Sequence, residues 1–362
     1  AFHDYVRSGS WTETTLKNNS NDFQKISFRQ RVAVDISNRT TKKSLLGVEY
    51  KMPVALAPVG SLGMQRADGE ILAAQAAEGF GVPFTLSTMS ICSIEEVARN
   101  TSKPFWFQLY VMRDHDFAKR LVERAKAAQC SALVLTLDLQ ILGQRHADIR
   151  NGLSIPLKIK LSNLFDLLSK PSWCYQMART KNRTFGNVMG HVKDITNLNS
   201  LTKWVQDQFD TRLNWDDVKR IKDWWGGKLI IKGIMDPDDA KMAQKCGADA
   251  LVVSNHGGRQ LDGVNSSIST LPEIKKAVSN MEVLMDGGIS SGQDILKAIA
   301  MGAEGVMIGR SFVYGLSAGG KEGVTKSLEI LNKELDMTMA LCGRRDIKDV
   351  GRDIIKDCPF FE

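Results

Sequence analysis

The sequence lacks several features that would place it in a familiar class of protein. No apolar run reaches the roughly 18 residues that predict a transmembrane helix, and no segment has the pattern of a secretory signal peptide. The six cysteines are scattered without a CxxC pair, which disfavours zinc and redox motifs and favours reduced thiols in a cytosolic compartment. The chain starts at Ala1 rather than at Met.

Familiar nucleotide and metal motifs are also missing. No GxGxxG pattern follows the first apolar run, which argues against a nicotinamide Rossmann site. The stretch Gly315–Lys321 spells GxxxxGK, but Glu322 stands where a P-loop needs Ser or Thr. Metal-ligand spacing is absent among four of the five histidines, so we predict no metal site and interpret them as surface or lid residues: His3, His115, His146 and His191.

The positive charge is concentrated in one part of the chain. Hydrophobic residues make up 43% and charged residues 25%, as in an ordinary soluble globular protein. Of the net charge of +7, nearly all comes from the stretch Leu153–Lys193, which holds seven basic residues and the single acid Asp166. The rest of the chain is close to neutral, which argues against a nucleic-acid-binding body.

Eight short apolar runs recur along the chain and are predicted to be strands. They are Val54–Ala57, Pro83–Leu86, Phe105–Tyr110, Ala132–Leu137, Leu229–Lys232, Ala250–Val253, Val283–Asp286 and Gly305–Ile308. Segments whose apolar residues have helical spacing lie between most of these runs: Asp68–Glu78, Asp114–Ala128, Asp236–Cys246 and Gly292–Met301. Asp114 and Asp236 are suitable helix caps. This alternation predicts an α/β protein with a single (β/α)8 TIM barrel; a doubly wound sheet is the alternative.

Three segments lie outside this alternation, although we expect residues 1–362 to form one domain. Residues 1–51 precede the first strand and are predicted to form an N-terminal cap on the barrel. Residues 152–214 follow the fourth strand and exceed what a βα connection needs. They are predicted to form a long insertion that is a lid, a partner surface or a membrane contact. The pattern from Gly320 to Glu362 predicts a long amphipathic helix followed by a tail.

The most informative motif, SNHGGRQLD at Ser254–Asp262, follows the run Ala250–Val253. Chemistry in α/β folds is found at the carboxyl ends of strands. Here His256 supplies a base and Arg259 a fixed cation, and the two glycines between them allow a sharp turn or the close approach of a ligand. Such a loop is able to deprotonate an anionic substrate. An ordinary loop with a hydrogen-bonded histidine and a solvated arginine is the alternative.

Polar residues at the other strand ends favour the functional interpretation, because a barrel brings them to one pocket. They are Gln108, Tyr110, Thr136, Asp138, Lys232, Ser254 and Asp286. A single such residue is often a satisfied core group, but Lys232 follows three apolar residues and needs an anionic partner. Glycines and a cation after the last two strands predict a phosphate site, and therefore a phosphorylated ligand: Gly287, Gly288, Gly309 and Arg310.

Taken together, these motifs resemble those of the FMN-dependent α-hydroxy acid oxidase and dehydrogenase family over essentially the whole chain. The most specific is SNHGGRQLDG at Ser254–Gly263. The segments Ala57–Met64 (APVGSLGM), Phe84–Val97 (FTLSTMSICSIEEV) and Ile231–Ala240 (IKGIMDPDDA) look most like the bacterial respiratory L-lactate dehydrogenases. The resemblance implies a TIM barrel that binds FMN.

The resemblance also implies roles for individual residues. His256 would be the active-site base, and Asp138 would pair with its protonated form. Tyr110 would touch the substrate hydroxyl, while the substrate carboxylate would be held by Arg259, Tyr5 and Arg145. Lys232 would lie at the N1/O2 edge of the flavin and stabilise its reduced form.

The remaining implied residues surround the cofactor. The isoalloxazine would be lined by Val59, Gly60, Ser87, Gln108, Thr136 and Ser254. The ribityl chain and phosphate would lie against Asp286, Gly287, Gly288, Ser290, Gly309 and Arg310. Three departures from the family pattern are present: Ser290 replaces an arginine that contacts the phosphate, Leu139-Gln140 replaces Thr/Met-Pro, and Met89 replaces the tryptophan of plant glycolate oxidases.

The resemblance implies oxidation of L-lactate, or a similar L-2-hydroxy acid, to the 2-oxo acid, with electrons passing to a membrane quinone or cytochrome. A 2-hydroxy acid oxidase that uses oxygen and releases hydrogen peroxide is the first alternative. A flavin-free barrel that binds a phosphorylated ligand is the second. Related enzymes are commonly tetramers, so a homo-oligomer is expected.

The basic stretch Leu153–Lys193 is predicted to contact a membrane. Its apolar residues at helical spacing share one face: Leu157, Leu161, Leu164, Phe165 and Leu168. Lys158, Lys160 and Lys170 flank them, and Trp173 and Tyr175 are residue types that favour a membrane interface. A basic amphipathic segment of this kind lies on an anionic bilayer, here the cytoplasmic face of the inner membrane. A lid over the active site or a subunit contact is the alternative.

Overall fold

The computed structural model describes residues 2–152, 169–190 and 208–361. The helices in these ranges are α1 (Phe2–Arg7), α2 (Thr14–Gln24), α3 (Leu62–Gln65), α4 (Gly69–Phe80), α5 (Ile94–Arg99), α6 (His115–Ala127), α7 (His146–Arg150), α8 (Pro171–Arg179), α9 (Trp215–Trp225), α10 (Pro237–Lys245), α11 (Ser267–Ala277), α12 (Gly292–Ala300) and α13 (Arg310–Leu341). The strands are β1 (Ser27–Phe28), β2 (Lys43–Leu45), β3 (Val48–Tyr50), β4 (Val54–Leu56), β5 (Thr85–Ser87), β6 (Trp106–Tyr110), β7 (Ala132–Thr136), β8 (Lys228–Ile234), β9 (Ala250–Val253), β10 (Glu282–Asp286), β11 (Gly305–Ile308) and β12 (Ile355–Asp357).

Strands β4 to β11 form one parallel eight-stranded sheet in sequential order, with β4 hydrogen-bonded to β11. A bridge between Leu56 of β4 and Phe84, just before β5, brings the remaining two edges together. The sheet therefore curls into a barrel, and the predicted (β/α)8 fold is confirmed. Every predicted strand is found, because continuous apolar runs are buried on both faces of a parallel sheet.

Side-chain caps set where several barrel helices begin. The carboxylate of Asp114 accepts a hydrogen bond from the Phe117 amide at 2.8 Å, and that of Asp236 accepts one from the Asp238 amide at 2.8 Å. Both interactions satisfy amides that have no partner within the helix. Pro237 occupies the first turn of α10, where its missing N–H costs nothing.

The N-terminal segment contacts both ends of the barrel. Leu45 in the β2–β3 hairpin is fully buried in the layer of side chains that fills the barrel interior. Helices α1 and α2 instead contact the carboxyl ends of the strands, where the Ser10 amide donates to the Gly258 carbonyl at 2.9 Å. Asn19 of α2 and Asn255 exchange two amide hydrogen bonds of 2.8 Å. The cap therefore packs directly on the loop that carries His256.

Helix α13 reverses direction at Gly320, whose φ of 62° and ψ of −136° are not helical. A Cβ on Gly315 would lie 2.5 Å from the carbonyl oxygen of Gly323, so only glycine allows the two halves to pack this closely. The GxxxxGK pattern thus belongs to a helix–helix contact rather than to a phosphate loop.

Part of the insertion lies outside the described residues, including its predicted amphipathic face from Leu157 to Leu168. Among the described parts, Trp173 of α8 donates to the Met64 carbonyl at 3.0 Å, and its ring lies 5.7 Å from that of Phe2. Tyr175 is 61% exposed. Within residues 2–152, 169–190 and 208–361, no helix is long and apolar enough to cross a bilayer.

Candidate active site

His256 lies in a sharp turn directly after strand β9. Its φ is 57°, and Gly257 and Gly258 follow with φ of 63° and 71°. Histidine enters this left-handed region more readily than most side chains, and glycine does so without steric cost. A Cβ on Gly258 would lie 2.6 Å from the Cα of Leu16 in α2, so the cap helix and the turn are in contact. Strained turns of this kind are concentrated at functional sites.

His256 is paired with Asp138, which lies two residues beyond β7. The imidazole Nδ1 is 2.9 Å from the Asp138 Oδ1, and both side chains are largely buried. Burial alone would raise the pKa of Asp138, but the charge and hydrogen bond of His256, together with the charge of Lys232, outweigh it and hold that pKa below its usual range. An ionised Asp138 accepts a hydrogen bond from Nδ1–H, so the lone pair of the imidazole lies on Nε2. This arrangement makes His256 a base whose protonated form is stabilised by a carboxylate.

Glycine at position 233 makes room for this pair. Gly233 has φ of 103° within strand β8, where the register with β9 shifts between Lys232 and Ile234. A Cβ there would lie 2.8 Å from the Cγ of Asp138. The bulge therefore allows Asp138 to approach β8 closely and still reach His256.

Lys232 has the anionic partner that its burial requires. Its Nζ lies 2.7 Å from the Asp286 Oδ2 and donates to the Ser254 hydroxyl at 2.7 Å. The side chains of Lys232 and Asp286 are only 5% and 10% exposed. The Ser254 hydroxyl in turn accepts from the His256 amide at 3.1 Å. Lys232 is thus connected to the turn that carries the base.

Arginine side chains give the site a positive field. Burial and the charge of Arg145 lower the pKa of Arg259 to about 10. Arg259 lies 4.7 Å above the ring of Tyr5, and its guanidinium donates to the carbonyls of Tyr5 and Ser8. Arg145 donates to the Arg259 carbonyl at 3.3 Å. Because cations in close proximity repel one another, an anion bound between them is stabilised.

One cavity of about 580 Å³ connects these residues. The predicted site residues that line it are Tyr5, Val59, Gly60, Tyr110, Thr136, Arg145, Lys232, His256, Arg259, Asp286, Gly287, Gly288, Ser290, Gly309 and Arg310. Met89 and Leu139, two of the positions that depart from the family pattern, line it as well. Burial raises the pKa of Tyr110 well above its usual range, and the charge of Asp138 adds to this effect, so Tyr110 stays a neutral hydrogen-bonding group.

The buried polar groups under the cavity fit a flavin ring. The Ser87 hydroxyl donates to the Gln108 carboxamide oxygen at 3.0 Å. The Gln108 Nε2 and the Thr136 Oγ1 are buried without a partner among the described residues. Buried donors and acceptors normally have partners, so these atoms are available for a polar heterocycle. Together with Lys232, they have the chemistry that the N- and O-bearing edge of an isoalloxazine requires.

The other end of the cavity fits a phosphate. A Cβ on Gly309 would meet nothing within 4 Å, which leaves open space at the beginning of α13, where backbone amides favour an anion. Ser290, where the family carries arginine, donates its hydroxyl to Asp294 at 3.0 Å. The Arg310 side chain donates to the carbonyls of Val6, Ser8 and Gly257. Arg310 therefore also connects the N-terminal cap to the turn that carries His256, a contact that its position in the sequence did not indicate.

Two further residues, one beside the site and one in it, had no sequence signal. Asp148 of α7 is 8% exposed and lies near Arg259 and Arg145; burial raises its pKa, and the charges of the two arginines offset only part of that rise. Phe209, at the end of the insertion, lines the cavity and contacts Tyr110. Among residues 2–152, 169–190 and 208–361, no three His, Cys, Asp or Glu side chains form a group able to hold a metal ion.

Comparison with known proteins agrees with this geometry. A family model described as FMN-dependent dehydrogenase matches residues 1–357. An L-lactate dehydrogenase of Actinobacillus pleuropneumoniae serotype 5b (strain L20) is 45% identical over 358 residues, which are 98% of this chain and 93% of that protein. One from Caulobacter sp. (strain K31) is 44% identical over 354 residues, covering 97% and 93%.

Solved structures give the same result. The monotopic membrane protein (S)-mandelate dehydrogenase superposes with a TM-score of 0.93 at 34% identity, covering 98% of this chain and 94% of that one. A mutant mandelate oxidase with (S)-mandelic acid superposes with a TM-score of 0.82 at 33% identity, covering 98% and 92%. The family match over residues 1–357, the barrel and the donors around the cavity agree, and the chain belongs to the family of FMN-dependent dehydrogenases.

Proposed function

We propose that this flavoenzyme oxidises L-lactate, or a similar small L-2-hydroxy acid, to the corresponding 2-oxo acid. The observation that carries the proposal is the hydrogen-bonded pair of His256 and Asp138, which opens onto the same cavity as Arg145 and Arg259. A 2-hydroxy acid needs a cation for its carboxylate and a base for the proton that it loses. The relatives named L-lactate dehydrogenase support lactate as the substrate.

The arginines would orient the substrate. A carboxylate held by Arg259 and Arg145 gains charge-assisted hydrogen bonds, which are about twice as strong as neutral ones. The Tyr110 hydroxyl would bind the substrate hydroxyl, and the Tyr5 ring beneath Arg259 keeps that guanidinium in place. This binding would direct the α-carbon toward His256 and convert the reaction into a unimolecular step.

His256 would then take up the proton. In a carbanion mechanism its Nε2 removes the α-proton, and in a hydride mechanism it removes the hydroxyl proton. In both cases Asp138 stabilises the imidazolium that forms, and the carbon–oxygen bond becomes a carbonyl. General-base catalysis of this kind contributes about 10²–10⁴-fold in rate.

FMN, when bound, supplies the acceptor for the two electrons that leave the substrate. On this chain Gln108, Thr136 and Lys232 would hold its ring, and the amides near Gly309 would hold its phosphate. Lys232 places a fixed positive charge at the edge of the cavity, where negative charge on the ring is favoured.

Anaerobic reduction tests the proposal. Purified holoenzyme is expected to lose its yellow colour when L-lactate is added without oxygen. An unbleached holoenzyme would contradict the activity. A second candidate, oxidation by molecular oxygen with release of hydrogen peroxide, is favoured by the fold shared with mandelate oxidase. Oxygen uptake, compared with quinone or dye reduction under the same conditions, separates the two.

We further propose that the enzyme is peripheral on the cytoplasmic face of the inner membrane and passes its electrons to a quinone or cytochrome there. Support comes from the basic stretch 153–193 and from exposed apolar side chains on loops next to the catalytic turn. Trp11, Ile141 and Leu261 are 41%, 70% and 65% exposed. Hydrogen bonds of Gln260 with the Ile141 carbonyl and the Gly143 amide bring two of these loops together. Apolar area supplements the roughly 1 kcal/mol that each basic residue contributes at an anionic surface.

Vesicle binding tests the membrane contact. The holoenzyme is expected to co-sediment with anionic vesicles and to be released only partly by salt. Replacing residues 153–168 with a short linker should abolish sedimentation and quinone reduction. It should spare reduction of the flavin by lactate, because Asn187 and Val188, which are buried in the barrel packing, stay in place. The double substitution Ile141→Ser and Leu261→Ser should weaken sedimentation. Absence of binding at low salt would favour the oxidase.

We also propose a homo-oligomer, most simply a tetramer, of single-domain subunits spanning residues 1–362. The family resemblance supports this proposal. Sedimentation equilibrium of the holoenzyme would give four times the chain mass, and a monomeric mass would contradict it.

A further inference from the structure

The last residues of the insertion run along the loop that follows strand β6. Met112 and Phe209 form an antiparallel bridge. The Arg113 amide donates to the Gln208 carbonyl at 2.9 Å, and the Asp114 amide donates to the Gln208 side chain at 3.0 Å. The backbone at Phe209 is therefore fixed against a barrel loop two residues beyond Tyr110.

An ionic network around the buried carboxylate of Asp210 holds this backbone from the other side. The Asp210 side chain is 2% exposed and accepts from the His115 Nε2 at 3.2 Å. The Arg212 amide and Nε also donate to it, at 3.0 and 3.1 Å. The His115 Nδ1 is 3.0 Å from an Arg220 nitrogen. Because a guanidinium only donates, Nδ1 is the acceptor, which leaves Nε2 to donate to Asp210.

Phe209 projects from this anchored backbone into the substrate end of the cavity. Its ring is 6.3 Å from that of Tyr110 in an edge-to-face arrangement, at 77°. The groups whose charges act on Tyr110 are those assigned to the base and to the substrate carboxylate, namely Asp138, Tyr5, Arg145 and Arg259. Phe209 therefore lies beside Tyr110 in the cavity, where a bound 2-hydroxy acid would be its neighbour.

We propose that Phe209 is a specificity-determining residue that limits the size of the substrate side chain, and that Asp210 and His115 are positioning residues for it. The proposal rests on the proposed oxidation of a 2-hydroxy acid. With the two carboxylate-binding arginines on one side and Tyr110 on another, a rigid aromatic wall leaves room for a methyl group but hinders a ring.

Substitutions of Phe209 test whether its ring limits the size of the substrate side chain. Phe209→Leu and Phe209→Ala holoenzymes are compared with wild type in dye reduction with L-lactate and (S)-mandelate. One methylene changes discrimination by roughly 10–200-fold in an apolar pocket, so kcat/KM for mandelate relative to lactate should rise by at least about 10-fold. The leucine variant keeps most of the apolar volume, so it still tests the proposal if the alanine variant fails to fold.

The positioning residues need a different readout. Asp210→Asn and His115→Ala should raise KM for lactate several-fold while kcat stays within about a factor of two. His115→Gln, whose amide can both accept from Arg220 and donate to Asp210, should restore wild-type KM. Asp216→Asn is the matched control, because this carboxylate lies in the first turn of the neighbouring helix α9 but its side chain is 86% exposed.

The outcomes separate the two proposals. Wild-type holoenzyme that lactate fails to reduce would overturn the proposed function. If lactate reduces wild type but both Phe209 variants retain its substrate preference, the specificity role is wrong. A uniform loss of kcat in the Asp210 and His115 variants, without rescue by His115→Gln, would overturn their positioning role.

Discussion

The Nδ1 of His256 and the Oδ1 of Asp138 lie 2.9 Å apart, although 118 positions separate the two residues in the chain. Each follows a different barrel strand, and the bulge at Gly233 in the strand between them leaves space for their approach. The pair therefore exists only when the barrel is formed. Removing either partner leaves the other buried without its counterpart.

Asp138→Asn should lower turnover with lactate by about 10²-fold, which is the smallest rate loss expected when general-base catalysis is disabled. The amide is nearly isosteric but carries no charge, so it stabilises the imidazolium poorly. Steady-state dye reduction by FMN-loaded protein measures the effect, with FMN content as the control. Unchanged turnover would show that the carboxylate only orients the ring.

Lys232→Met should destabilise the protein by roughly 3–5 kcal/mol, because Asp286 would remain buried without a cation. Chemical unfolding of the FMN-free protein measures the free energy without contributions from the cofactor. Adding Asp286→Asn to this variant should recover much of the loss, since no buried charge remains. If the double variant loses as much free energy of unfolding as the two single variants lose together, Lys232 and Asp286 are not coupled.

Ser290→Arg should slow the release of FMN. The serine hydroxyl is neutral, and an arginine would add charge-assisted hydrogen bonds of roughly 1.5–3 kcal/mol at best. Release is followed by the fluorescence of free flavin after dilution, and Ser290→Ala serves as the neutral comparison. Equal or faster release from the arginine variant would show that the amides near Gly309 already suffice, or that Asp294 captures the new cation.

Asp210 should make stability depend on acid pH. Burial would raise its pKa, but hydrogen bonds from Arg212 and His115 lower it to about 2. The unfolded chain binds this proton more readily, so the stabilisation is fully present above about pH 4 and declines as the pH falls toward 2. The difference in unfolding free energy between wild type and Asp210→Asn should therefore be smaller at about pH 3 than at about pH 5. Urea denaturation at both pH values measures it, and a constant difference would contradict the pKa.

Local patterns were enough to predict the barrel and most of its polar strand ends. Each strand is a continuous apolar run, and His256, Lys232 and Asp286 follow or end such runs, so the parallel sheet brings them to one face. The family resemblance, rather than the spacing, supplied Tyr5 and Arg145. Which residue ends a strand is decided by the local sequence, so these strand-end residues could be predicted from the sequence alone.

Contacts between distant segments were not predictable in this way. Arg310 was predicted to contact a phosphate, and its side chain also donates to carbonyls of the N-terminal cap, 302 and 304 positions away, which the sequence did not indicate. His115 was interpreted as a surface or lid residue, and its partner Asp210 is 95 positions away. Phe209 follows no motif, and only the packing of the insertion on the loop after β6 brings it to Tyr110. Such pairings depend on tertiary packing rather than on periodicity.

The most direct test of the account is the rate at which L-lactate bleaches the flavin without oxygen, in wild type and in His256→Asn. Asparagine also tolerates the left-handed backbone at this position, so the substitution removes the base with little added strain. Wild type is expected to bleach, and the variant should retain FMN but bleach at least about 10²-fold more slowly. A variant that bleaches within about a factor of three of wild type, or a wild type that does not bleach, would contradict the proposed chemistry.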